Sequence, residues 1–189
     1  MAYIGLARPV IAKYPQGEEG YTKGFRFGKA VKIEISPQYE DISDYGDIND
    51  TEDEEIFVYA DITLGISAIP QEAEGIVFGH ENTGSETIYR DEDISGYVGL
   101  GIRTREVIAG AVKYTALWLY KVKLKEDGQA HTSKGEAIDY TTPSVKGKAY
   151  PDKDGIWKKK KLCNTAEEAD SWLDKMAGIN KEEEELWHM

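Results

Sequence analysis

The chain has 189 residues, of which 35 are acidic and 23 basic, so its formal net charge at pH 7 is −12. This length fits one domain, and 40% hydrophobic residues exclude a chain that is disordered throughout. Such an acidic chain repels nucleic-acid phosphates on average, and no stretch approaches the ~20 apolar residues of a membrane span. Cys163 is the single cysteine, which excludes an intrachain disulfide. The opening residues lack a signal-peptide profile, so we expect a cytoplasm as the compartment, at least during synthesis.

The first half of the chain predicts strands from residues that alternate with a period of two. Residues 3–14 contain Pro9 and predict an edge strand or an arm, because proline cannot donate to a sheet ladder. Residues 31–36 predict a strand with Val31, Ile33 and Ile35 facing inward, and residues 56–64 predict another. A short helix is expected over residues 70–78, with Ser67 as its N-cap and Gly79 at its end.

An acidic segment separates the second and third of these strands. Residues 37–55 lack a core pattern and predict a mobile loop, and residues 39–55 hold nine acids and no base. The loop fails the EF-hand pattern, since Glu52 and Val58 stand where that pattern needs glycine and glutamate. A different cation site among its aspartates stays open as an alternative to a solvated acidic loop. These aspartates are Asp44, Asp47, Asp50 and Asp53.

The clearest alternation runs through residues 112–125 and predicts a strand longer than most. One face is apolar and the other carries lysines, except that Leu117 and Leu119 interrupt the polar face, so both faces are expected to be covered there. The apolar face comprises Val112, Tyr114, Ala116, Trp118, Tyr120, Val122 and Leu124. Residues 97–108 predict the partner strand, and Ala109-Gly110 predicts the turn of a long hairpin.

The C-terminal third predicts two more strands, at residues 136–145 and 156–163, and a helix. Thr165 and Glu168 form a capping box, and Gly178 ends the helix. Its apolar face comprises Ala169, Trp172, Leu173 and Met176. Residues 181–189 predict an acidic, mobile tail outside the domain that we expect at residues 3–179. Together the elements predict a β-sandwich or β-barrel with one or two flanking helices and long loops.

Four consecutive lysines, Lys158 to Lys161, form the one basic block. They protect an edge strand or contact the acidic loop of another subunit, and both interpretations rank above nucleic-acid binding.

Motifs for catalysis are missing from the sequence. The three histidines, His80, His131 and His188, have no ligand spacing, and His80 is expected to be an ordinary surface residue. Cys163 has no nucleophile motif and predicts a buried structural thiol. We therefore expect no enzyme, no cofactor and no metal centre.

Several motifs, in order, resemble the major tail protein family of long-tailed, non-contractile bacteriophages. The strongest lie in the hairpin: Tyr97-Val98-Gly99-Leu100-Gly101-Ile102, the turn, and Lys113-Tyr114-Thr115-Ala116-Leu117-Trp118-Leu119-Tyr120-Lys121-Val122-Lys123. Others are Ile4-Gly5-Leu6-Ala7, Gly28-Lys29-Ala30-Val31, Ile62-Thr63-Leu64-Gly65, Phe78-Gly79-His80 and the C-terminal helix. The sequence departs from the family at the turn, where Asn-Gly is common, and in the density of acids.

The resemblance implies a β-sandwich-like fold whose subunits form hexameric rings. The rings would stack into a tail tube around a tape-measure protein, between a tail-tip initiator and a tail terminator, and DNA would pass through the lumen without specific binding. The expected location is the virion, after assembly in the host cytoplasm. The alternatives are a tube protein of a related contractile secretion apparatus and a monomeric β-sandwich ligand-binding module with an aromatic platform.

Two surfaces are predicted to mediate this assembly. The acidic loop would contact the next ring or subunit, and the long hairpin would supply strands of an inner barrel. The loop residues are Asp41, Asp44, Asp47, Asp50 and Asp53. The hairpin residues are Tyr114, Leu117, Trp118, Leu119, Tyr120, Lys121 and Lys123.

Overall fold

The computed structural model describes residues 2–17, 20–42, 54–83, 85–128 and 142–179. These residues are mainly in strands, which confirms the predicted fold class. The strands are β1 (Ala2–Lys13), β2 (Thr22–Arg26), β3 (Ala30–Ile42), β4 (Glu54–Ile66), β5 (Glu81–Thr83), β6 (Glu86–Ile88), β7 (Tyr97–Ile108), β8 (Ala111–Glu126), β9 (Ser144–Tyr150) and β10 (Lys158–Cys163). The helices are α1 (Gln71–Ala73), continued by a π-helical turn at Glu74–Phe78, and α2 (Ala166–Ala177). Among the residues described, no helix is long and apolar enough to cross a bilayer.

The main sheet is antiparallel and nearly closes on itself. Its strand order is β2-β1-β7-β8-β9-β4-β3, with β10 beside β8 and with β5 and β6 in a separate ribbon. The two end strands, β2 and β3, are consecutive in the chain. Between them, Phe27 N donates to Pro9 O at 2.8 Å on the β1 side, and Lys29 O accepts from Ser67 N at 2.9 Å on the β4 side. The sheet is therefore barrel-like, because one short chain segment joins its two ends.

The middle of strand β8 is buried on both faces, as the leucines in its polar face predicted. Leu117 and Leu119 point into an inner core enclosed by the curled sheet, and Val77 and Phe78 of the π-helical turn close one part of this core. Trp118 lies on the opposite face, in an outer core beneath α2. One strand therefore supports two hydrophobic cores.

A β-bulge interrupts the alternation of β8, so the prediction of one continuous apolar face is wrong. Leu100 pairs with Leu119 and Val98 with Val122, so the two residues Tyr120 and Lys121 oppose the single residue Gly99. Such a bulge shifts the side-chain phase by one residue. Beyond it, Val122 and Leu124 point into the inner core with Leu117 and Leu119, not into the outer core with Trp118.

Strand β1 is an edge strand only in its first part, up to the bulge at Pro9. Residues 2–7 pair with β7 alone, whereas residues 10–13 lie between β2 and β7, and the register with β7 shifts between Ala7 and Val10. Arg8 has a φ of 52° at this irregularity. Proline is tolerated inside the sheet because a bulge removes the need for its missing N–H.

Smaller corrections concern the ends of other elements. The N-cap of α1 is Pro70, while Ser67 Oγ accepts a hydrogen bond from Lys29 N at 3.1 Å. Val31 is 59% exposed because the β3 register shifts beside it, whereas Ile33 and Ile35 pack towards the inner core as predicted.

The strand predicted at residues 136–145 begins at Ser144 and runs to Tyr150, and residues 136–141 lie outside the described part. The predicted loop at residues 37–55 is strand up to Ile42 and again from Glu54, and residues 43–53 are not described. The predicted C-terminal tail at residues 181–189 also lies outside the described residues.

Helix α2 confirms the predicted capping box. Thr165 Oγ1 accepts from Glu168 N, and Glu168 Oε2 accepts from Asn164 N, both at 3.2 Å. Gly178 ends the helix with a φ of 68°. Arg8 Nη2 donates to both carboxylate oxygens of Asp174 at 2.7 Å, which fastens the helix to β1.

The indole of Trp118 occupies space that glycine leaves open on β7. A Cβ atom at Gly99 would lie 2.3 Å from Trp118 Cζ2, and one at Gly101 would lie 2.7 Å from Trp118 Cε3. A Cβ at Gly101 would also lie 2.9 Å from Leu173 on α2. The two glycines are therefore needed for the helix to approach the sheet.

We predict that Gly101→Ala destabilises the subunit by about 1–3 kcal/mol, because the added methyl overpacks the contact between Trp118 and Leu173. Gly128→Ala is the control, since a Cβ there meets nothing within 4 Å and its φ is not positive. Urea unfolding measures both variants. Equal stability of the two would contradict the packing argument.

A second prediction concerns the turn of the β7–β8 hairpin. Ala109 and Gly110 have φ values of 50° and 81°, which suits a turn with two left-handed residues and is unfavourable for alanine. Ala109→Asn should therefore stabilise the subunit by about 1 kcal/mol. Thermal unfolding measures the gain, and Ala111→Asn, just after the turn, should give none.

Candidate functional site

Three of the predicted inner-barrel residues belong to the cores of the chain itself. Leu117, Trp118 and Leu119 are 8%, 0% and 1% exposed. Both β7 and β8 have strand neighbours on either side within the chain. These three side chains therefore stabilise the subunit, and the middle of the hairpin has its strand edges paired within the chain.

Two further predicted residues, Tyr114 and Tyr120, are half-buried beside α2. The guanidinium carbon of Arg103 lies 5.7 Å from the ring centre of Tyr114. Tyr21 donates its hydroxyl hydrogen to the carbonyl oxygen of Tyr120 at 2.6 Å. Both tyrosines therefore support the outer core.

Lys121 and Lys123, the last two predicted residues, lie on a surface that α2 does not cover. The bulge turns them to the outer side of the sheet, opposite Val122 and Leu124 in the inner core. The register of β8, β9 and β4 places other lysines and tyrosines on the same side. We call this surface the lysine–tyrosine face. It comprises Lys121, Lys123, Lys125, Lys146, Lys148, Tyr59, Tyr97 and Tyr150.

The face carries two pairs of lysines directly opposite each other. Lys123 pairs with Lys148, and Lys125 pairs with Lys146. Like charges in opposed positions destabilise an antiparallel pair. Two carboxylates reduce the repulsion: Asp127 forms an ion pair with Lys146 at 3.0 Å, and Asp61 lies opposite Lys148. The five lysines of the face outnumber these two carboxylates, so the face is positive although the chain has a net charge of −12.

The lysines pack over the tyrosine rings. Lys148 Nζ lies 3.6 Å from the ring centre of Tyr59, and a hydrogen bond with that tyrosine raises the pKa of Lys148 above its ordinary value. Lys121 and Lys123 lie 4.8 and 5.6 Å from the ring centre of Tyr97. These cation–π contacts hold the lysines across the sheet.

The acidic segment, residues 39–55, includes the end of a two-stranded ribbon formed by β3 and β4. Strand β9 pairs with β4 only from Ala60 to Gly65, so the ends of β3 and β4 near Ile42 and Glu54 extend beyond it. Tyr39 and Ile56 on this ribbon are 53% and 50% exposed. Asp41 is exposed at its end, whereas Asp44, Asp47, Asp50 and Asp53 lie outside the described residues.

The basic block forms strand β10, which pairs with β8 and has no second strand partner among the described residues. This confirms its position at an edge. Lys161 forms an ion pair with Glu168 at 3.1 Å, and Lys158 lies 4.2 Å from the ring centre of Trp157. Cys163 at the end of β10 is buried, as predicted, and burial raises the pKa of its thiol.

His80 is not the ordinary surface residue that the sequence predicted. Its side chain is 13% exposed, and Nδ1 lies 2.7 Å from Asp93 Oδ2. Glu74 and Glu126 lie beside it. His131 and His188 are outside the described residues.

No protein-family model and no curated protein matches this chain.

The sequence did not predict the lysine–tyrosine face as one surface, because its residues come from four strands. Lys121, Lys123 and Lys125 alternate visibly, but Lys146 and Lys148 follow the residues predicted as a strand and join them only through the register of β9. Alternation at residues 144–150, with buried Val145 and Ala149, was the available signal.

We predict that Lys125→Glu stabilises the isolated subunit by about 0.5 kcal/mol, because it replaces a like-charge pair with Lys146 by an attractive one. Lys159→Glu is the control, because it makes the same charge change opposite Trp118. Urea unfolding measures both, and a Lys125→Glu subunit no more stable than the control would contradict the repulsion.

Proposed function

We propose that the chain is a structural virion protein, which forms hexameric rings that stack into the tail tube of a long-tailed bacteriophage and so provide the conduit for DNA ejection. One observation carries this proposal. The chain separates its charges into a positive lysine–tyrosine face and an acidic segment, residues 39–55, with nine acids and no base.

Separated charges suit a protein that binds copies of itself. In a ring or a stacked tube, each subunit offers one surface to a neighbour and receives a different surface from another. A positive face on one subunit and an acidic segment on the next attract each other, whereas two identical faces repel. The net formal charge of six subunits, 6 × −12 = −72, makes such local pairing necessary for rings to stack.

The ribbon at the ends of β3 and β4 supports the same conclusion. A two-stranded ribbon with exposed apolar side chains is marginally stable in water by itself. Tyr39 and Ile56 would become buried against a neighbouring subunit. The ribbon would then carry the acidic segment to its partner surface.

The face fits a protein partner better than a nucleic acid or a sugar. Bases and sugars stack on open aromatic rings, but lysines already lie over Tyr59 and Tyr97. In the proposed tube, DNA would pass through the lumen without specific binding. A tape-measure protein inside the tube, with a tail-tip initiator and a tail terminator at its ends, would complete the assembly.

A monomeric ligand-binding module is the alternative from another class. Its aromatic platform would need accessible rings. Trp118 is fully buried, and Trp157 stacks on Phe57 with ring centres 4.3 Å apart. A secretion-apparatus tube remains an alternative with the same kind of assembly, and the genes beside this one would distinguish it from a phage tail.

We predict that replacing residues 43–53 by Asn-Gly abolishes tube formation but leaves the subunit folded. Ile42 and Glu54 are directly opposite each other, so a two-residue turn joins them without changing the register. Electron microscopy and light scattering at rising protein concentration measure assembly, with the tail-tip initiator supplied if the wild-type protein stays monomeric. Circular dichroism checks the fold.

The basic side of the contact is tested in the same assay. Lys123→Glu with Lys148→Glu should also block assembly, whereas Lys153→Glu with Lys175→Glu makes the same charge change elsewhere and should not. Normal tubes from the loop replacement and from the face variant would contradict the proposal. So would a wild-type protein that stays monomeric with the initiator present.

A further inference from the structure

A second charged cluster lies where the π-helical turn meets the end of β8. Glu74 belongs to this turn, His80 follows it, and Glu126 is the last residue of β8. One ring nitrogen of His80 and one carboxylate oxygen from each glutamate lie within 4.8 Å of one another. This cluster is separate from the lysine–tyrosine face.

Two of its oxygens are buried without a hydrogen-bond partner. They are Glu74 Oε2 and Glu126 Oε1, and neither reaches solvent. A buried carboxylate oxygen without a donor is costly, and two adjacent carboxylates also repel each other. A cation bound between the two carboxylates would compensate their charge.

The contacts of His80 suit a metal ligand. Asp93 Oδ2 accepts a hydrogen bond from Arg90 N at 2.8 Å. The same oxygen lies 2.7 Å from His80 Nδ1, where it can accept the Nδ1 hydrogen. Nε2 is then the nitrogen that carries a free lone pair. A carboxylate behind a histidine in this way raises its basicity as a metal ligand.

The backbone keeps Asp93 and His80 together. Gly79 has a φ of 83°, and a Cβ there would lie 2.3 Å from the carbonyl oxygen of Ile94. Any other residue would push the segment that holds Asp93 away from His80.

We propose that Glu74, His80 and Glu126 bind one divalent transition-metal ion of the zinc type, and that Asp93 acts as a positioning residue behind His80. An imidazole with two carboxylates suits zinc better than calcium or magnesium, which prefer oxygen ligands alone. The ion ties the π-helical turn to the end of β8. This inference is independent of tube formation.

The experiment uses the full chain, stripped of metal with a chelator. Co²⁺ is titrated in while its visible absorption is recorded, and Zn²⁺ then competes for the site. We expect one equivalent of Co²⁺ per chain, displaced by Zn²⁺. His80→Gln should lose binding, Glu126→Gln should bind at least tenfold more weakly, and Asp93→Asn should bind about 10–100-fold more weakly.

Matched controls identify the ligands. His131→Gln and Glu92→Gln remove the same chemical groups elsewhere in the chain and should bind like the wild type. Circular dichroism confirms that each variant is folded, and Glu126→Gln, which exchanges one oxygen for an amide nitrogen, serves if His80→Gln does not fold. The proposal is overturned if the stripped wild type takes up no Co²⁺, or if folded His80→Gln and Glu126→Gln bind as tightly as the wild type.

Discussion

The position of Trp118 against Gly99 and Gly101 is the constraint on which the outer half of the structure depends. The indole can pack against β7 only because Gly99 and Gly101 lack a side chain. Helix α2 then packs on the indole through Leu173 and is held by the two hydrogen bonds from Arg8 to the carboxylate of Asp174. Because α2 covers only this part of the sheet, the remaining outer surface is open for the lysine–tyrosine face.

The bulge at Tyr120 and Lys121 decides what that open surface carries. Before the bulge, the odd-numbered residues Leu117 and Leu119 point inward. If the alternation continued unbroken, Lys121, Lys123 and Lys125 would also enter the inner core, where unpaired charges are very costly. One extra residue opposite Gly99 turns all three lysines outward and brings Val122 and Leu124 inward. The basic face and the inner core therefore have the same local cause.

Local signals predicted the elements that depend on local physics. The strand at Tyr97–Ile108, its turn at Ala109 and Gly110, and the capping box of α2 all follow from alternation, turn residues and capping chemistry. The place of residues 10–13 of β1 inside the sheet was not predictable from Pro9, because it depends on a bulge against β7. The bulge in β8 is visible in the sequence as a change of the apolar alternation between Leu119 and Val122. Only the pairing with a partner strand determines where the extra residue lies.

The candidate sites were less predictable, because each depends on residues that are distant in sequence. Lys123 meets Lys148 through the pairing of β8 with β9, and Glu74 meets Glu126 through the packing of the π-helical turn on β8. Neither pair of residues belongs to a sequence motif that would predict the contact.

Both sites contain an arrangement of charges that is unfavourable in an isolated subunit. The lysine–tyrosine face holds like charges opposite each other, and the Glu74–Glu126 cluster buries oxygens without donors. Each arrangement lowers the stability of the free chain, and each becomes favourable when an opposite charge arrives. The face is broad and accessible, which suits the acidic segment of another protein chain. The cluster is small, which suits a single ion. Both proposals therefore depend on unfavourable charge arrangements, and strand β8 contributes residues to each of them.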